Sequence, residues 1–345
     1  MKSANPTSQW NELLGIAAIS ASDVWTVGYA YPDQYTPDQT LAEHWDGSHW
    51  TVVATQNVGY YGSELAAVSA VSSTDVWAVG SYLNVDNSSS TLIEHWDGKQ
   101  WSIISSPNAG SNTYLIGVAA LTSNNVWAIG DEIVSGAIDS LIEHWDGASW
   151  SVVSNPGSVV LIGLAAASPT NIWAVGSSQG PSSMHWDGTS WSVIPALNEG
   201  YNASLYGVAV DPNTGDAWSV GTYEYGDHAR TLIESWNGEQ WQIVTSPNVG
   251  AFDNVLKAVT AISVTNVWAV GYYISPKTTN RLALIEHWDG QKWRVVTSPI
   301  VGRQFSQHDN FLNASTQVPG TTQVWAAGYF ISPPPYAYTL TDFYC

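Results

Sequence analysis

The chain has 345 residues, and 29 acidic against nine basic residues give a formal net charge of −20 at pH 7. This charge disfavours nucleic acid and anionic membrane surfaces as partners, because binding to either requires cationic side chains that neutralise phosphate. No apolar run is long enough to insert into a membrane as a spanning segment, and the single cysteine, Cys345, excludes an internal disulfide.

A short sequence that ends in tryptophan recurs seven times along the chain. Asp75-Val76-Trp77 is one copy, and successive copies lie 45 to 57 residues apart. A strand-like repeat of this length indicates an architecture built from one repeated unit. Because the repeat runs from end to end, we expect a single domain over residues 1–345. The seven tryptophans are Trp25, Trp77, Trp127, Trp173, Trp218, Trp268 and Trp325.

The second repeat shows the predicted elements in their order. Residues 65–71 are small and apolar and predict a buried strand a, which a polar turn joins to strand b at residues 76–80. After a polar loop, residues 91–96 predict strand c, and an Asp-Gly pair predicts a tight turn into strand d at residues 101–104. Four short antiparallel strands in each of seven units predict an all-β fold, a seven-bladed β-propeller.

Strands b, c and d each carry tryptophan at a fixed repeat position. Such a residue most simply packs between blades, because large aromatic side chains dominate apolar burial between sheets. Strand c has Trp45, Trp96, Trp145, Trp186, Trp236 and Trp288, strand d has Trp50, Trp101, Trp150, Trp191, Trp241 and Trp293, and Trp10 alone lies outside the repeat positions.

The repeat resembles that of the kelch family. Val76 to Gly80 is an aliphatic strand that ends in glycine, an aromatic-Asp pair follows at Trp96-Asp97, and Trp101 comes five residues after Trp96. The chain has one glycine at the end of strand b where kelch repeats have two. The Trp-Asp-Gly-x-x-Trp turn is also similar to turns of bacterial and fungal propeller lectins. Both resemblances imply a propeller that binds a ligand, which is mostly a protein in the kelch family and a sugar between blades in the lectins.

The seventh unit ends with strand c at residues 339–344, where Tyr344 takes the position of the tryptophan. Residues 1–5 align with the missing strand d. We therefore expect residues 1–5 to pair beside residues 339–344 as a short outer strand and to close the ring. An unpaired edge at blade seven would favour self-association through that edge.

Repeat length varies only in the b–c and d–a connections, which lie on the same face of a four-stranded meander. Variable loops on a rigid scaffold are the usual place for binding. Tyrosine in such loops offers a flat apolar face with a polar group, which suits sugar rings and protein interfaces. The loop aromatics are Tyr29, Tyr31, Tyr60, Tyr61, Tyr82, Tyr114, Tyr201, Tyr223, Tyr225, Tyr272, Tyr273, Phe305, Tyr329 and Phe330.

Seven of the nine basic residues follow position 229, so blades five to seven differ from the others. Residues 223–230 also combine aromatic, acidic, imidazole and guanidinium groups. We therefore predict a site for a polar ligand in these loops. Its predicted residues are Tyr223, Tyr225, Asp227, His228, Arg230, Tyr272, Tyr273, Arg281 and His308, and Lys277, Arg303 and Asp309 lie in the same loops.

The histidines do not indicate a metal site. Five of them share one repeat position, which marks them as scaffold residues: His44, His95, His144, His185 and His287. No cofactor is expected, although loops such as Asn84-Val85-Asp86-Asn87 carry oxygen ligands of the kind that calcium takes. The terminal position of Cys345 disfavours a copper oxidase of the galactose-oxidase kind.

No sequence feature selects a catalytic nucleophile. Carboxylates for glycoside cleavage are present at Asp131, Glu132, Glu224 and Asp227, but no spacing rule selects a pair. We expect a binding module rather than an enzyme, located outside the cell, with a carbohydrate or protein partner. Two alternatives stay open: a hydrolase or lyase acting on a sugar in the loops of blades five to seven, and a self-assembling structural protein.

Overall fold

The structure is a computed structural model that describes residues 3–7, 9–33, 35–108, 110–157, 159–298, 308–333 and 336–344. These residues form 27 β-strands. No helix capable of crossing a membrane occurs among them. The expected all-β fold is confirmed.

The strands fall into four sets that repeat around the molecule. Strand a is β1 (Trp10–Ser20), β5 (Gly62–Ser72), β9 (Thr113–Thr122), β13 (Val160–Ser168), β17 (Tyr201–Val210), β21 (Asn254–Ser263) and β25 (Asp309–Gln317). Strand b is β2 (Asp23–Tyr31), β6 (Asp75–Leu83), β10 (Asn125–Val134), β14 (Asn171–Ser177), β18 (Ala217–Tyr225), β22 (Asn266–Ile274) and β26 (Val324–Ser332). Strand c is β3 (Gln39–Trp45), β7 (Ser89–Trp96), β11 (Ala137–Trp145), β15 (Pro181–Trp186), β19 (His228–Trp236), β23 (Arg281–Trp288) and β27 (Tyr336–Tyr344). Strand d is β4 (Trp50–Val53), β8 (Trp101–Ile103), β12 (Trp150–Val152), β16 (Trp191–Pro195), β20 (Trp241–Ile243) and β24 (Trp293–Val295).

The sheets confirm a seven-bladed propeller. Five blades are separate four-stranded antiparallel sheets in the order a-b-c-d. The first and last blades share one seven-stranded sheet, β25-β26-β27-β1-β2-β3-β4, in which a parallel bridge joins Trp10 to Ala337. Strand a lies innermost and borders the central channel, and strand d lies outermost.

The tryptophans pack between blades, as the sequence predicts. Each strand-b ring lies 4.8 to 5.8 Å from aromatic rings of strands c and d of the next blade. Trp325 of blade seven contacts Trp45 and Trp50 of blade one in this way, so the aromatic contacts continue around the ring. Tyr344 takes the strand-c position against Trp268.

The recurring histidines are scaffold residues, which confirms that interpretation. The Nε2 of each lies 2.8 to 3.0 Å from the Oδ1 of the Asp or Asn that begins strand b. The same rings lie 4.3 to 4.5 Å from the strand-b tryptophans. The recurring Asp/Asn before Val-Trp therefore orients the histidine beneath the tryptophan.

A β-bulge interrupts every strand a at the same position. In β1 the pairing with β2 steps from Leu13 to Gly15, so that Leu14 is the extra residue. A bulge re-aims a side chain, and here it turns one residue of each blade towards the channel axis. These residues, which we call the channel ring, are Leu14, Ala66, Ile116, Ile162, Tyr206, Lys257 and Asn313.

The bulge also explains the glycine that ends the strand-b motif. A Cβ on Gly28 would overlap the backbone carbonyl oxygen of Glu12 on β1. The equivalent glycines in the other six blades face a strand-a carbonyl in the same way. Only glycine allows the two strands to approach this closely.

The Asp-Gly turns between strands c and d satisfy their own polar groups. Asp97 Oδ1 accepts hydrogen bonds from the backbone N–H groups of Lys99 and Gln100 at 2.8 and 2.9 Å. Those backbone donors hold the pKa of Asp97 below its usual range. In this chain the aspartates of the lectin-like Trp-Asp-Gly-x-x-Trp turns therefore accept hydrogen bonds from within the turns themselves.

A buried glutamate of strand c lies in five of the blades, each fully shielded from solvent. Glu94 Oε2 accepts a hydrogen bond from the backbone N–H of Gln56 in the preceding blade. Glu43 and Glu234 accept similar backbone hydrogen bonds, and burial raises the pKa of these two and of Glu94 to about 7. Burial raises the pKa of Glu143 and Glu286 to about 8.

Proline explains the difference between these two sets. The three backbone donors each precede an asparagine, and the equivalent positions in blades two and five are Pro107 and Pro247, which have no N–H. Glu143 and Glu286 accordingly lack a backbone donor there, and for Glu143 the Ser106 side chain is the polar group that lowers its pKa.

The N-terminal segment closes the ring, as expected, but not as an outer strand. Thr339 of β27 donates from its backbone N to Asn5 Oδ1 at 2.8 Å, and its Oγ1 donates to the carbonyl of Ala4 at 2.7 Å. Residues 3–5 form no strand, and residues 1–2 lie outside the described residues.

The register explains why residues 3–5 form no outer strand. In blade two the backbone N of Thr91 donates to Asn108 Oδ1 in the same way, and Asn108 lies five residues beyond the end of β8. Asn5 is thus equivalent to a residue of the connection that follows strand d.

Replacing Asn5 with alanine should lower the free energy of unfolding by about 1–2 kcal/mol, because the backbone N–H of the buried Thr339 loses its acceptor. Asn248→Ala removes the equivalent bond to Thr231 inside blade five and serves as the matched control. Denaturant unfolding measures both losses. Amide exchange should quicken at Thr339 only in Asn5→Ala, and an unchanged exchange rate there would contradict a closing role for Asn5.

Candidate functional site

The structure divides the residues predicted to bind a ligand among three places. Tyr223, Tyr225, Asp227, His228 and Arg230 lie on the hairpin between β18 and β19. In this hairpin Tyr225 is 71% exposed, and Asp227 is also exposed. The other residues of the set lie in blades six and seven.

The basic groups of this hairpin bind the next blade. Arg230 donates to the carbonyls of Phe252 and Ala251 at 3.2 and 3.1 Å. His228 Nδ1 lies 3.3 Å from Asp253 Oδ1. The hairpin is therefore tied to the segment that leads into β21.

A similar contact joins blades six and seven. Arg281 pairs with Asp309 through its backbone N at 2.8 Å and through Nη1 at 3.4 Å. Asn280 Nδ2 lies 3.4 Å from His308 Nδ1. Tyr273 packs into the core between blades five and six, whereas Tyr272 faces the central channel. Arg303 and Phe305 lie outside the described residues. The predicted residues thus do not form one cluster, and their binding role stays a prediction.

The candidate carboxylates for glycoside cleavage are also separated. Asp131 and Glu132 are neighbours in β10, and consecutive strand residues point to opposite faces. Glu224 accepts a hydrogen bond from Asn202 Nδ2 in blade five. In the loop Asn84–Asn87, Asp86 Oδ1 accepts from the backbone N and the hydroxyl of Ser88. No group of three or more metal-ligating side chains is found in the part of the chain that the structure describes.

An aromatic cleft opens beside blade one on the variable-loop face. It has a volume of about 640 Å³. Exposed tyrosines form much of it, and Tyr35 is 86% exposed. Its lining residues, which define the aromatic cleft, are Gln9, Trp10, Tyr29, Tyr31, Asp33, Tyr35, Thr36, Pro37 and Tyr61.

Internal hydrogen bonds hold this cleft in shape. Asp33 Oδ1 accepts from the backbone N of Tyr35 and of Thr36 at 2.7 and 2.8 Å, which lowers the pKa of Asp33. At the base, Glu12 Oε2 accepts from Tyr29 Oη at 2.8 Å and from Trp10 Nε1 at 3.2 Å. These contacts hold the Trp10 and Tyr29 rings and the backbone turn that carries Tyr35.

A second cavity of about 500 Å³ lies at the mouth of the central channel on the same face. Blades one to four present the apolar residues Leu14, Ala66, Ile116 and Ile162 to it, together with Glu12 of blade one, and blades five to seven present polar and aromatic residues. Its lining residues, which define the channel mouth, are Glu12, Leu14, Ala66, Ile116, Ile162, Tyr206, Lys257, Tyr272, Phe311, Asn313 and Tyr329.

Charge in the channel mouth is unevenly placed. Lys257 Nζ lies 4.2 Å from the centre of the Tyr206 ring, and burial lowers the pKa of this lysine. Burial raises the pKa of Glu12, whose carboxylate already accepts the hydrogen bonds from Trp10 and Tyr29. The mouth therefore carries a cation on blade six and a tethered acid on blade one.

The sequence contains signals for both cavities. Trp10 is the single tryptophan outside the repeat positions, and it lines the aromatic cleft. The channel-ring residue is aliphatic in blades one to four. In blades five to seven it is Tyr206, Lys257 and Asn313. Aligning strand a across the repeats would have marked these three positions as different, whereas loop composition alone favoured blade five.

No protein-family model matches this chain, and no curated protein sequence matches it. Solved structures are similar over most of its length. YCF48 from Cyanidioschyzon merolae has a TM-score of 0.60 at 15% identity, with 100% of this chain and 98% of that chain covered. A structure described as YCF48 bound to D1 peptide has a TM-score of 0.57 at 17% identity, covering 99% of this chain and 100% of that one. The six-bladed fucose-recognising lectin of the fungus Aleuria aurantia has a TM-score of 0.54 at 16% identity and covers 86% of this chain and 100% of its own. These similarities establish the β-propeller fold. None of these three structures is described as a kelch protein.

Proposed function

We propose that this chain is a binding module that takes a neutral carbohydrate in the aromatic cleft. The observation that carries the proposal is the group of exposed tyrosines around a cleft beside Trp10. Flat aromatic faces with hydroxyl groups at their edges match a sugar ring, which has an apolar face and polar substituents.

The size of the cleft supports a small ligand over a protein surface. Ligand pockets span roughly 300–1,000 Å³, and a stable protein interface buries about 800 Å² on each partner. The aromatic cleft, at about 640 Å³, falls within the range for small ligands.

The charge of the chain supports a neutral ligand. A net charge of −20 disfavours anions in general, and among the residues that the structure describes no basic one lines the aromatic cleft to offset it. Within the cleft, Asp33 directs Oδ1 and Oδ2 to its own turn, which leaves Gln9 and the hydroxyls of Tyr31, Tyr35 and Tyr61 as groups for the ligand.

The similar folds support binding in general. One is a lectin described by its fucose recognition, and another is described as bound to a peptide. We extend to this chain only the idea that a propeller of this size binds a ligand, and we place the module outside the cell as part of the proposal.

The test is a glycan-array screen followed by calorimetric titration of the strongest ligand. The double variant Tyr31→Ala, Tyr35→Ala should weaken binding roughly tenfold or more, about 1.4 kcal/mol, since it removes two stacking faces. Its matched control is Tyr201→Ala, Tyr225→Ala, which removes two exposed tyrosines from blade five.

The outcomes separate the alternatives. Loss in the first double variant alone supports the aromatic cleft. Loss in the control alone would instead favour the blade-five prediction. No binding by the wild type to any glycan would overturn the carbohydrate proposal and favour a peptide partner or self-assembly.

A further inference from the structure

Lys257 lies in a strongly acidic protein, yet it makes no ion pair with any residue that the structure describes. It lies on strand a of blade six, at the bulge that directs its side chain to the channel axis. Its ammonium contacts the Tyr206 ring, and no ion pair or hydrogen bond joins it to another residue that the structure describes. A half-buried charge without a partner is costly, and a ligand that supplies the opposite charge would offset that cost.

The other blades show that the fold does not require this lysine. The equivalent residues of blades one to four are Leu14, Ala66, Ile116 and Ile162. An aliphatic side chain at this position therefore fits the scaffold, and the charge at Lys257 adds nothing to the packing that leucine or isoleucine would not supply.

The groups around Lys257 form a donor-rich aromatic wall. Phe311 and Tyr329 stack at 4.6 Å with an interplanar angle of 16°. Tyr272 meets Phe311 edge to face at 5.2 Å. A ligand beside Lys257 thus meets one cation, phenol hydroxyls and flat apolar surface.

We propose that the channel mouth binds a small organic monocarboxylate, whose carboxylate pairs with Lys257 and whose apolar body packs against Tyr272, Phe311 and Tyr329. This site lies on the channel axis and is separate from the aromatic cleft.

The single cation among the described residues that line the channel mouth favours a ligand with one negative charge. The channel mouth has one cation, whereas phosphate sites usually combine several donors of arginine, lysine or backbone N–H groups. The net charge of −20 makes each further negative charge on the ligand unfavourable. Glu12 does not exclude a monoanion, because its Oε2 is held by Trp10 and Tyr29 on the blade-one side of the cavity.

The experiment measures the binding of benzoate and hexanoate to the full chain by calorimetry at low salt, with benzamide as the neutral isostere of benzoate. We expect at least one of the two carboxylates to bind with one site per chain. Where benzoate binds, benzamide should bind at least about tenfold more weakly. Lys257→Met should weaken carboxylate binding by a similar factor, and Lys277→Met, which alters an exposed lysine of the same blade, should not.

A second readout does not depend on a variant. Carboxylate should protect Lys257 from acylation by an N-hydroxysuccinimide ester, as measured by mass spectrometry, and should leave Lys277 unprotected. Failure of both carboxylates to bind, equal binding of benzoate and benzamide, or carboxylate binding that survives in Lys257→Met would each overturn the proposal.

Discussion

Replacing Trp77 with alanine should lower the free energy of unfolding by roughly 3–5 kcal/mol, the usual cost of truncating a large buried aromatic side chain. Trp77 is 2% exposed. Its ring contacts His95 of its own blade and Trp145 and Trp150 of the next blade. The indole Nε1 donates to Asp75 Oδ1 at 2.9 Å, so the substitution also removes a buried hydrogen bond. Denaturant unfolding at constant pH measures the effect.

Trp10→Ala is the control, because Trp10 is half-buried and belongs to no inter-blade tryptophan cluster. We expect a smaller loss of stability there. A loss at Trp77 below about 1 kcal/mol would mean that the strand-b tryptophans are not the main source of cohesion between blades.

The second large effect is on the pH dependence of stability. Burial raises the pKa of Glu143 and Glu286 to about 8, well above the value of a free glutamate. The folded chain therefore retains protons that the unfolded chain has lost. Stability should be unaffected by these groups below about pH 4.5 and should fall as the pH rises from there to about 8, by at least about 1.4 kcal/mol, the equivalent of one pKa unit, for each group. Glu43, Glu94 and Glu234, with pKa values of about 7, act in the same direction.

The turn aspartates limit this trend at acid pH. Backbone N–H groups lower the pKa of Asp97 and Asp146, so their contribution to stability is lost as the pH falls below about 4. We therefore expect maximal stability near pH 5, measured as the denaturant midpoint across pH 3–9. A free energy of unfolding that rises from pH 5 to pH 8 would contradict the raised pKa of these buried glutamates.

Two variants isolate the buried carboxyl of blade six. Glu286→Gln should remove its share of the pH dependence and should be more stable than the wild type at pH 8. Pro247→Ala should restore a backbone N–H beside Glu286 and lower its pKa, in the way that Gln56 serves Glu94. Glu239→Gln, at an exposed turn, should leave the pH profile unchanged.

The fold was predictable because each blade repeats the same physical solution. The bounds predicted for the second repeat agree with β5 to β8 within a few residues, since alternation and the Asp-Gly turn determine them locally. The closing segment was harder. Residues 3–5 close the ring as predicted but form no strand, because Asn5 acts through a side-chain bond that leaves no hydrophobic pattern in the sequence.

The candidate site was less predictable because loop composition does not reveal which groups face solvent. His228 and Arg230 look available in the sequence, yet both bind the next blade. Tyr35 and Trp10 gave weaker signals, and the structure brings them to one cleft. The direction of Lys257 depends on a one-residue bulge, which period-two alternation does not predict.

The strand-a bulge separates two tasks that adjacent residues would otherwise share. Leu13 is fully buried in the core, while Leu14, next to it, only borders the channel. A mutation in the channel ring can therefore change what the channel accepts without disturbing the contacts that hold the blades together. Because each of the seven blades has such a position, natural variation or design can change the channel lining one residue at a time.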